Sequence, residues 1–110
     1  MALYMLMAKY TPEAIKTIVE GDTDRAAASQ AVCEAAGGKM LGFYGLIGQE
    51  YHVAIIAEMP GVSEYMGTLL TATMGGAIED FKTIPMYSVE EHFKARDIYQ
   101  KIKASYAPPS

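Results

Sequence analysis

An α+β fold, in which helices cover one face of a small antiparallel sheet, is predicted by three features of this 110-residue sequence. Four short apolar runs have the composition of strands, and helix-forming segments separate them in the order β-α-β-β-α-β. One more helical segment follows the last strand. Hydrophobic residues make up 51% of the chain and charged residues 20%, which excludes a disordered protein and fits one domain.

The first half of the chain is predicted to form a strand followed by two helical segments. Residues 2–10 are apolar in both alternating sets, as in a strand that is buried on both faces. Thr11 and Pro12 predict a helix start, because threonine caps free amides and proline suits the first helical position. The segment Asp22-Thr23-Asp24 offers a second cap before an alanine-rich helix at residues 25–36, which Gly37-Gly38 ends.

The second half begins with an antiparallel hairpin. Strands are predicted at residues 39–47 and 51–59, joined by a short turn, and the internal Gly42 and Gly45 suggest a bulge in the first of them. A helix follows at residues 62–74. The last strand, at residues 77–87, contains Pro85, which lacks an amide donor and therefore indicates a sheet edge or an intersubunit contact.

A C-terminal helix is predicted from about residue 89 to residue 104, after a core of residues 2–88. It opens with a capping box, in which Ser88 is the cap and Glu91 follows three residues later. An apolar stripe on this helix predicts that it docks onto protein, across a subunit boundary. The stripe consists of Ala95, Ile98, Tyr99, Ile102 and Tyr106.

This order of elements is the split βαβ, or ferredoxin-like, pattern, in which helices cover only one face of the sheet. Here the strands are apolar on both faces, so the uncovered face would be a large apolar patch that soluble monomers avoid. We therefore expect a homodimer or larger homo-oligomer in which two sheets pack face to face. The sequence does not decide whether Ile55 or Ile56 faces the partner.

Charge and composition exclude several functional classes. The net charge of −4 disfavours a nucleic-acid-binding protein, which needs a basic face. No run approaches the roughly 20 apolar residues of a membrane-spanning helix, so no membrane partner is expected. The N-terminus lacks the basic segment of a secretory signal. The single Cys33 is interpreted as a structural thiol and favours a reducing, cytoplasmic location.

His52 and Glu58 are the sharpest candidates for chemistry. His52 begins an apolar strand, and only histidine changes charge near neutral pH without perturbation, so it is predicted to point into a cavity as an acid/base or haem ligand. The alternative is a strand-end histidine that hydrogen-bonds a neighbour. Glu58 lies on the same strand with Lys9 as a candidate partner, or else it reaches solvent at the strand end. They would be about 20 Å apart and cannot form one dyad.

Tyrosines and methionines supply the remaining candidates. Tyr44 is predicted as the catalytic partner of His52, and Tyr10 and Tyr4, with Glu58, as ligand-binding groups, because a phenol in a cavity can donate to a carbonyl. Ordinary strand aromatics are the alternative. Met5 and Met7 have the spacing of a Cu(I) site but also of adaptable core fillers. No zinc ligand set is visible, and no cofactor is assigned.

Seven short segments together resemble the GYD-domain family over roughly residues 2–92. The segments are Tyr10-Thr11-Pro12-Glu13, Arg25 at the helix start, Gly37-Gly38-Lys39, Phe43-Tyr44, Gly48-Gln49-Glu50-Tyr51, Glu58-Met59-Pro60 and Glu90-Glu91. The resemblance implies a dimeric α/β barrel, an architecture shared by monooxygenases, isomerases, haem-processing proteins and non-catalytic ligand binders. It therefore does not select a function.

The sequence departs from the family pattern at three positions. His52 replaces the aspartate that gives the family its last letter, Ala14 replaces a glycine, and Gly61 replaces an acidic residue. Two functional classes remain: a small-molecule binder or cofactor-light enzyme with an apolar cavity, and a non-catalytic structural or assembly module. A cavity of about 300 Å³ or more with converging polar groups favours the first class.

Overall fold

The computed structural model describes residues 1–109, and these form a mixed α+β fold around one four-stranded antiparallel sheet. The sheet has the order β2-β3-β1-β4. Its strands are β1 (Ala2–Tyr10), β2 (Lys39–Gly45), β3 (Val53–Met59) and β4 (Ile78–Met86). The helices are α1 (Pro12–Glu20), α2 (Arg25–Ala35), α3 (Val62–Met74) and α4 (Val89–Ile102), and a short 3₁₀ helix (Lys103–Ser105) follows α4. The α+β prediction is confirmed.

The helix starts lie where the sequence predicts them. Thr11 Oγ1 accepts the Ala14 amide at 3.1 Å, and Asp24 Oδ1 accepts the Ala27 amide at 3.1 Å. Ser88 Oγ accepts the Glu91 amide at 3.2 Å, which is one half of the predicted capping box. The Glu91 carboxylate instead lies 3.5 Å from Lys94 Nζ.

Two features of the sheet lie where the sequence predicts them, whereas the end of β2 and the start of β3 do not. β4 is an edge strand, as Pro85 predicts, and β2 has an irregular register between Met40 and Gly42. β2 ends at Gly45 instead of residue 47, and β3 begins at Val53 instead of residue 51. The hairpin link is therefore longer than predicted.

One face of the sheet carries the core and is covered by α1, α2 and α3. Its first buried cluster joins β1, β3, α2 and α3 through Tyr4, Cys33, Ala57, Met59 and Tyr65. Its second joins β1 and β3 through Ala8, Tyr10 and Val53, against which Ile15 and Ile18 of α1 pack. We call this side the helix face.

The opposite side, which we call the open face, carries the alternate residues of the same strands. Met5 lies opposite Ile56 of β3 and Ile84 of β4, and Leu3 lies opposite Met86. Directly opposed residues of antiparallel strands share a face, so these side chains form one apolar surface. Every described residue from 87 onward, including all of α4, is exposed. No helix among residues 1–109 has both the length and the apolar character needed to cross a membrane.

Candidate functional site

A cavity of about 380 Å³ lies on the helix face, between the sheet and helices α2 and α3. We call it the inner cavity. Its floor is formed by alternate residues of β1 and β3, and its walls by the facing sides of the two helices. The lining includes Leu6, Ala8, Tyr10, Ile55, Ala57 and Met59 from the sheet, Ala28, Ser29, Val32 and Cys33 from α2, and Tyr65, Thr68 and Ala72 from α3.

The polar side chains in the α3 wall are already hydrogen-bonded. Tyr65 Oη lies 2.8 Å from Thr83 Oγ1, and the Tyr65 ring stacks on Tyr4 with ring centroids 4.1 Å apart. Thr68 and Thr71 donate their hydroxyls to the carbonyl oxygens of Tyr65 and Gly67 in their own helix. This wall therefore presents mainly carbon atoms to the cavity.

Two titratable groups in the lining remain protonated at neutral pH. Burial, with a smaller contribution from Glu34, raises the pKa of the Cys33 thiol. Burial likewise raises the pKa of Tyr65, against an opposing effect of its hydrogen bond to Thr83. Neither group has the lowered pKa that activates a nucleophile, so both act as neutral wall groups.

The inner cavity has a polar end at Arg25, the first residue of α2. Arg25 Nε is buried and has no hydrogen-bond partner among the described residues. Arg25, Gly75 and Ala77 also line a second cavity of about 310 Å³, which we call the outer pocket. The rest of the outer pocket comes mainly from α1 and the loop after it and includes Thr11, Glu13, Thr17 and Thr23.

His52 lies in the link before β3 and is not among the residues that line either cavity. Its Nδ1 accepts a hydrogen bond from the Tyr10 amide at 3.0 Å, and its own amide donates to the Ala8 carbonyl at 2.9 Å. The His52 and Tyr10 rings are parallel within 10°, with centroids 6.0 Å apart. The geometry matches the alternative interpretation, a strand-end histidine that bonds a neighbour.

Tyr44 and Glu58 both lie on the open face. Tyr44 is exposed, and its ring covers Gly42 so closely that a Cβ at that glycine would lie 2.6 Å from Tyr44 Cε2. Glu58 is half-buried and stands opposite Leu3 and Lys39 in the neighbouring strands. These two residues are therefore on the other side of the sheet from the inner cavity.

The predicted pairing of Glu58 with Lys9 is wrong. Lys9 Nζ lies 3.4 Å from Glu79 Oε2, on the neighbouring strand β4. Glu58 stands opposite Leu3, six residues from Lys9, which is a separation of about 20 Å along a strand. Antiparallel pairing places the two charged groups at opposite ends of the sheet.

Tyr10 and Tyr4, by contrast, belong to the helix face. Tyr10 is buried and lines the inner cavity, and Tyr4 is buried as the stacking partner of Tyr65. Among the predicted site residues, the structure thus joins His52 to Tyr10 and leaves Tyr44 and Glu58 elsewhere. The catalytic and ligand-binding roles assigned to these residues stay predictions.

Sequence reasoning missed Arg25 and Ser29 as site residues. Arg25 is recognisable in the sequence as unusual, because a cation in the first turn of a helix opposes the helix dipole. Acidic residues are the ones that stabilise this position. Nothing in the sequence distinguishes Ser29. Within residues 1–109 no three His, Cys, Asp or Glu side chains are grouped closely enough to hold a metal ion. Met5 and Met7 share the open face, away from both cavities.

Comparison with protein families shows a match to the GYD domain over residues 4–95. The match covers the sheet, helices α1 to α3 and the first half of α4. No curated protein matches the chain. Because the family match spans most of the sequence, the chain belongs to the GYD-domain family.

Proposed function

We propose that this protein binds a small, largely apolar molecule in the inner cavity. The observation that carries the proposal is the cavity itself: about 380 Å³, lined mainly by apolar side chains, with a few polar groups such as Arg25 and Ser29 among them. Cavities that hold small ligands begin at about 300 Å³ and combine apolar walls with a few placed polar groups.

Binding is favoured over catalysis by the state of the lining groups. Cys33 and Tyr65 have raised pKa values, so neither supplies a thiolate or phenolate near neutral pH. The Nδ1 atom of His52 is occupied by the Tyr10 amide. A general base needs to lie within hydrogen-bonding reach of the proton that it abstracts, and His52 is not part of the cavity wall.

The test uses the single cysteine as a reporter. Cys33 lines the cavity and is buried, so a bound molecule should slow its alkylation by iodoacetamide. We expect octan-1-ol to slow the reaction at saturating concentration and to raise the melting temperature, because a ligand of the native state stabilises it by mass action.

A pair of variants on α2 distinguishes occupancy of the cavity from a general effect of the alcohol. Ala28 lines the inner cavity, whereas Ala31 is exposed on the same helix. Ala28→Phe should fill part of the cavity and remove the protection by octan-1-ol, and Ala31→Phe should leave it intact. Equal protection in both variants, or no protection of the wild type, would disprove binding in this cavity.

We also propose that a second copy covers the open face, so that two ferredoxin-like units form a dimeric α/β barrel. The support is the apolar surface around Met5, Ile56 and Ile84, since soluble monomers avoid large exposed patches of this kind. The stripe on α4 has the same character. Ile98, Tyr99 and Ile102 are each more than half exposed.

These apolar surfaces also support the second candidate function, a non-catalytic assembly module. In that case the inner cavity is a packing defect without a ligand, and self-association is the whole function. The alkylation experiment separates the two candidates, because an assembly module predicts no protection of Cys33. A cytoplasmic location, expected from the single thiol, stays a prediction.

A further inference from the structure

The inner cavity and the outer pocket meet at one charged side chain. Arg25 lines both, together with Gly75 and Ala77, so the two spaces adjoin at these residues. The inner cavity is walled mainly by aliphatic and aromatic groups, and the outer pocket adds three threonines and Glu13 to apolar groups such as Ala14 and Ile18. Two adjoining spaces, of which the outer one has the larger share of polar lining, fit a ligand with one apolar and one polar part.

Arg25 has a hydrogen-bonding capacity that the protein does not use. Its Nε is buried without a partner, and Arg25 forms no ion pair with any residue in the range 1–109. Arg25 as a whole is half-buried, but a buried donor atom without an acceptor is costly, and native structures seldom retain one without a reason.

The position of Arg25 in α2 adds a second, independent indication. It is the first helical residue and follows the Asp24 cap, whose Oδ1 accepts the Ala27 amide, while the first turn itself contains no acidic residue. A cation there is repelled by the positive end of the helix dipole, whereas an anion beside it would be attracted by both the guanidinium and the dipole. A sequence that breaks a local rule at a cavity wall is typical of a binding site.

We infer that the ligand is an amphipathic carboxylic acid, with its apolar part in the inner cavity and its carboxylate paired with the Arg25 guanidinium at the outer pocket. This inference rests on the proposed binding function and names the class of molecule. A guanidinium binds a carboxylate through two parallel hydrogen bonds. Glu13 lines the outer pocket and disfavours a more highly charged head group such as a phosphate.

The experiment compares three eight-carbon probes with the full-length protein near neutral pH. Octanoate, octan-1-ol and octylammonium share one apolar tail and differ in the charge of the head group. Binding is measured by calorimetry and by protection of Cys33 from iodoacetamide. We expect octanoate to bind about tenfold or more tightly than octan-1-ol, and octylammonium to bind most weakly.

Matched variants assign the preference to Arg25. Arg25→Gln should reduce the octanoate preference to nearly onefold while binding of octan-1-ol is retained, and Arg25→Lys should keep part of it. Lys16→Gln is the control, because it removes the same charge from an exposed position on α1 that lines neither cavity. Glu13→Gln leaves Arg25 in place and should strengthen octanoate binding about twofold to fivefold.

The outcomes separate this inference from the proposed function. Failure of all three probes to bind would disprove ligand binding in the cavity and the inference with it. If octan-1-ol binds as tightly as octanoate, the proposed binding function stands, but the inference that the ligand is a carboxylic acid is wrong. Tighter binding of octylammonium, or a preference for octanoate that survives Arg25→Gln, would overturn it as well. If Arg25→Gln does not fold, the probe comparison in the wild type and the Glu13→Gln variant still decide the question.

Discussion

The two faces of the sheet are built from alternate residues of the same strands, yet they meet different surroundings. On the helix face, Tyr4, Ala57 and Met59 are buried by α2 and α3. On the open face, Met5 and Ile56 are only half-buried, and the three covering helices all lie on the other side. The strands are apolar on both faces, so the difference in burial does not come from their composition. It arises because the chain's own helices α1 to α3 pack on only one of the two faces.

The comparison teaches that the two apolar faces of one sheet can be incomplete in different ways. The helix face is covered but not filled, because α2 and α3 enclose the inner cavity. The open face has no such cover from α1 to α3. A small molecule would fill the cavity, whereas covering the sheet needs a surface of similar size, which the proposed second copy would supply.

The largest expected effect comes from placing a charge on each face at neighbouring positions. Ile55 is buried and lines the inner cavity, and Ile56 lies on the open face. Ile55→Lys should lower the free energy of unfolding by about 4 kcal/mol or more, because it buries an unpaired charge. Ile56→Lys should leave the circular dichroism spectrum unchanged and reduce the mass in sedimentation to that of a monomer.

The reverse pattern would contradict the assignment of the faces. If Ile55→Lys folds as a smaller assembly and Ile56→Lys unfolds, the partner lies on the side that we describe as helix-covered. Wild-type protein that sediments as a monomer at micromolar concentration would remove the second copy altogether.

Local features of the fold were predictable from sequence, because each depends on a few neighbouring residues. Thr11, Asp24 and Ser88 cap their helices through amides only three positions away. Pro85 marked an edge strand because it lacks an amide, which is a property of one residue. The apolar composition of both alternating sets in residues 2–10 identified β1 without reference to the rest of the chain.

The candidate site was not predictable in the same way, because it depends on how distant elements converge. Arg25 reaches the inner cavity only because of where α2 packs on the sheet. The Lys9–Glu58 pair failed because the antiparallel register, unknown from composition, places Lys9 near β4 residues instead. His52 bonds the Tyr10 amide where the register of β1 with β4 shifts, and that irregularity has no signature in the sequence.

The next effect in size tests whether His52 is a structural residue at the end of the helix face. Its ring accepts the amide of the buried Tyr10, so His52→Ala should leave that amide without its partner and cost about 1–3 kcal/mol. His52→Asp should retain more of the stability, since a carboxylate also accepts an amide and aspartate is the residue that the family resemblance places here.

Chemical denaturation of the three proteins gives the measurement, and alkylation of Cys33 with and without octan-1-ol supplies a functional readout. A structural His52 predicts unchanged protection by the alcohol in any variant that folds. Loss of protection in a stable His52→Ala variant would return His52 to the binding site.

A smaller effect concerns pH and the thiol in the cavity wall. The pKa of Cys33 is raised in the native state, so above about pH 8.5 the unfolded chain loses a proton that the native protein keeps. The unfolded state then binds fewer protons, and the free energy of unfolding falls as pH rises. This contribution is fully present below the unfolded pKa and is lost as pH rises through the folded pKa.

Cys33→Ala should therefore show a shallower decline in stability than the wild type between about pH 8 and about pH 10. The quantity compared is the slope of the free energy of unfolding against pH. The packing change caused by the smaller side chain does not affect this slope, because it is the same at every pH. Tyr51→Phe is the control, since the hydrogen bond to Asp80 raises the pKa of Tyr51, whose side chain lines neither cavity. Parallel slopes for wild type and Cys33→Ala would show that the thiol is not protected by the fold.

The smallest effect on stability is expected for α4, although its effect on assembly should be clear. All residues of α4 are exposed, and the family match ends at residue 95, within this helix. Ile98→Lys combined with Ile102→Lys should change the free energy of unfolding of the domain by less than about 0.5 kcal/mol, as for surface substitutions. The same pair should lower the mass of the assembly, because it places two charges in the apolar stripe.

Gln100→Lys, on the opposite side of α4, adds a similar charge and should leave the mass unchanged. If the mass is the same in all three proteins, α4 is not an interface, and only the open face remains as the surface for a second copy.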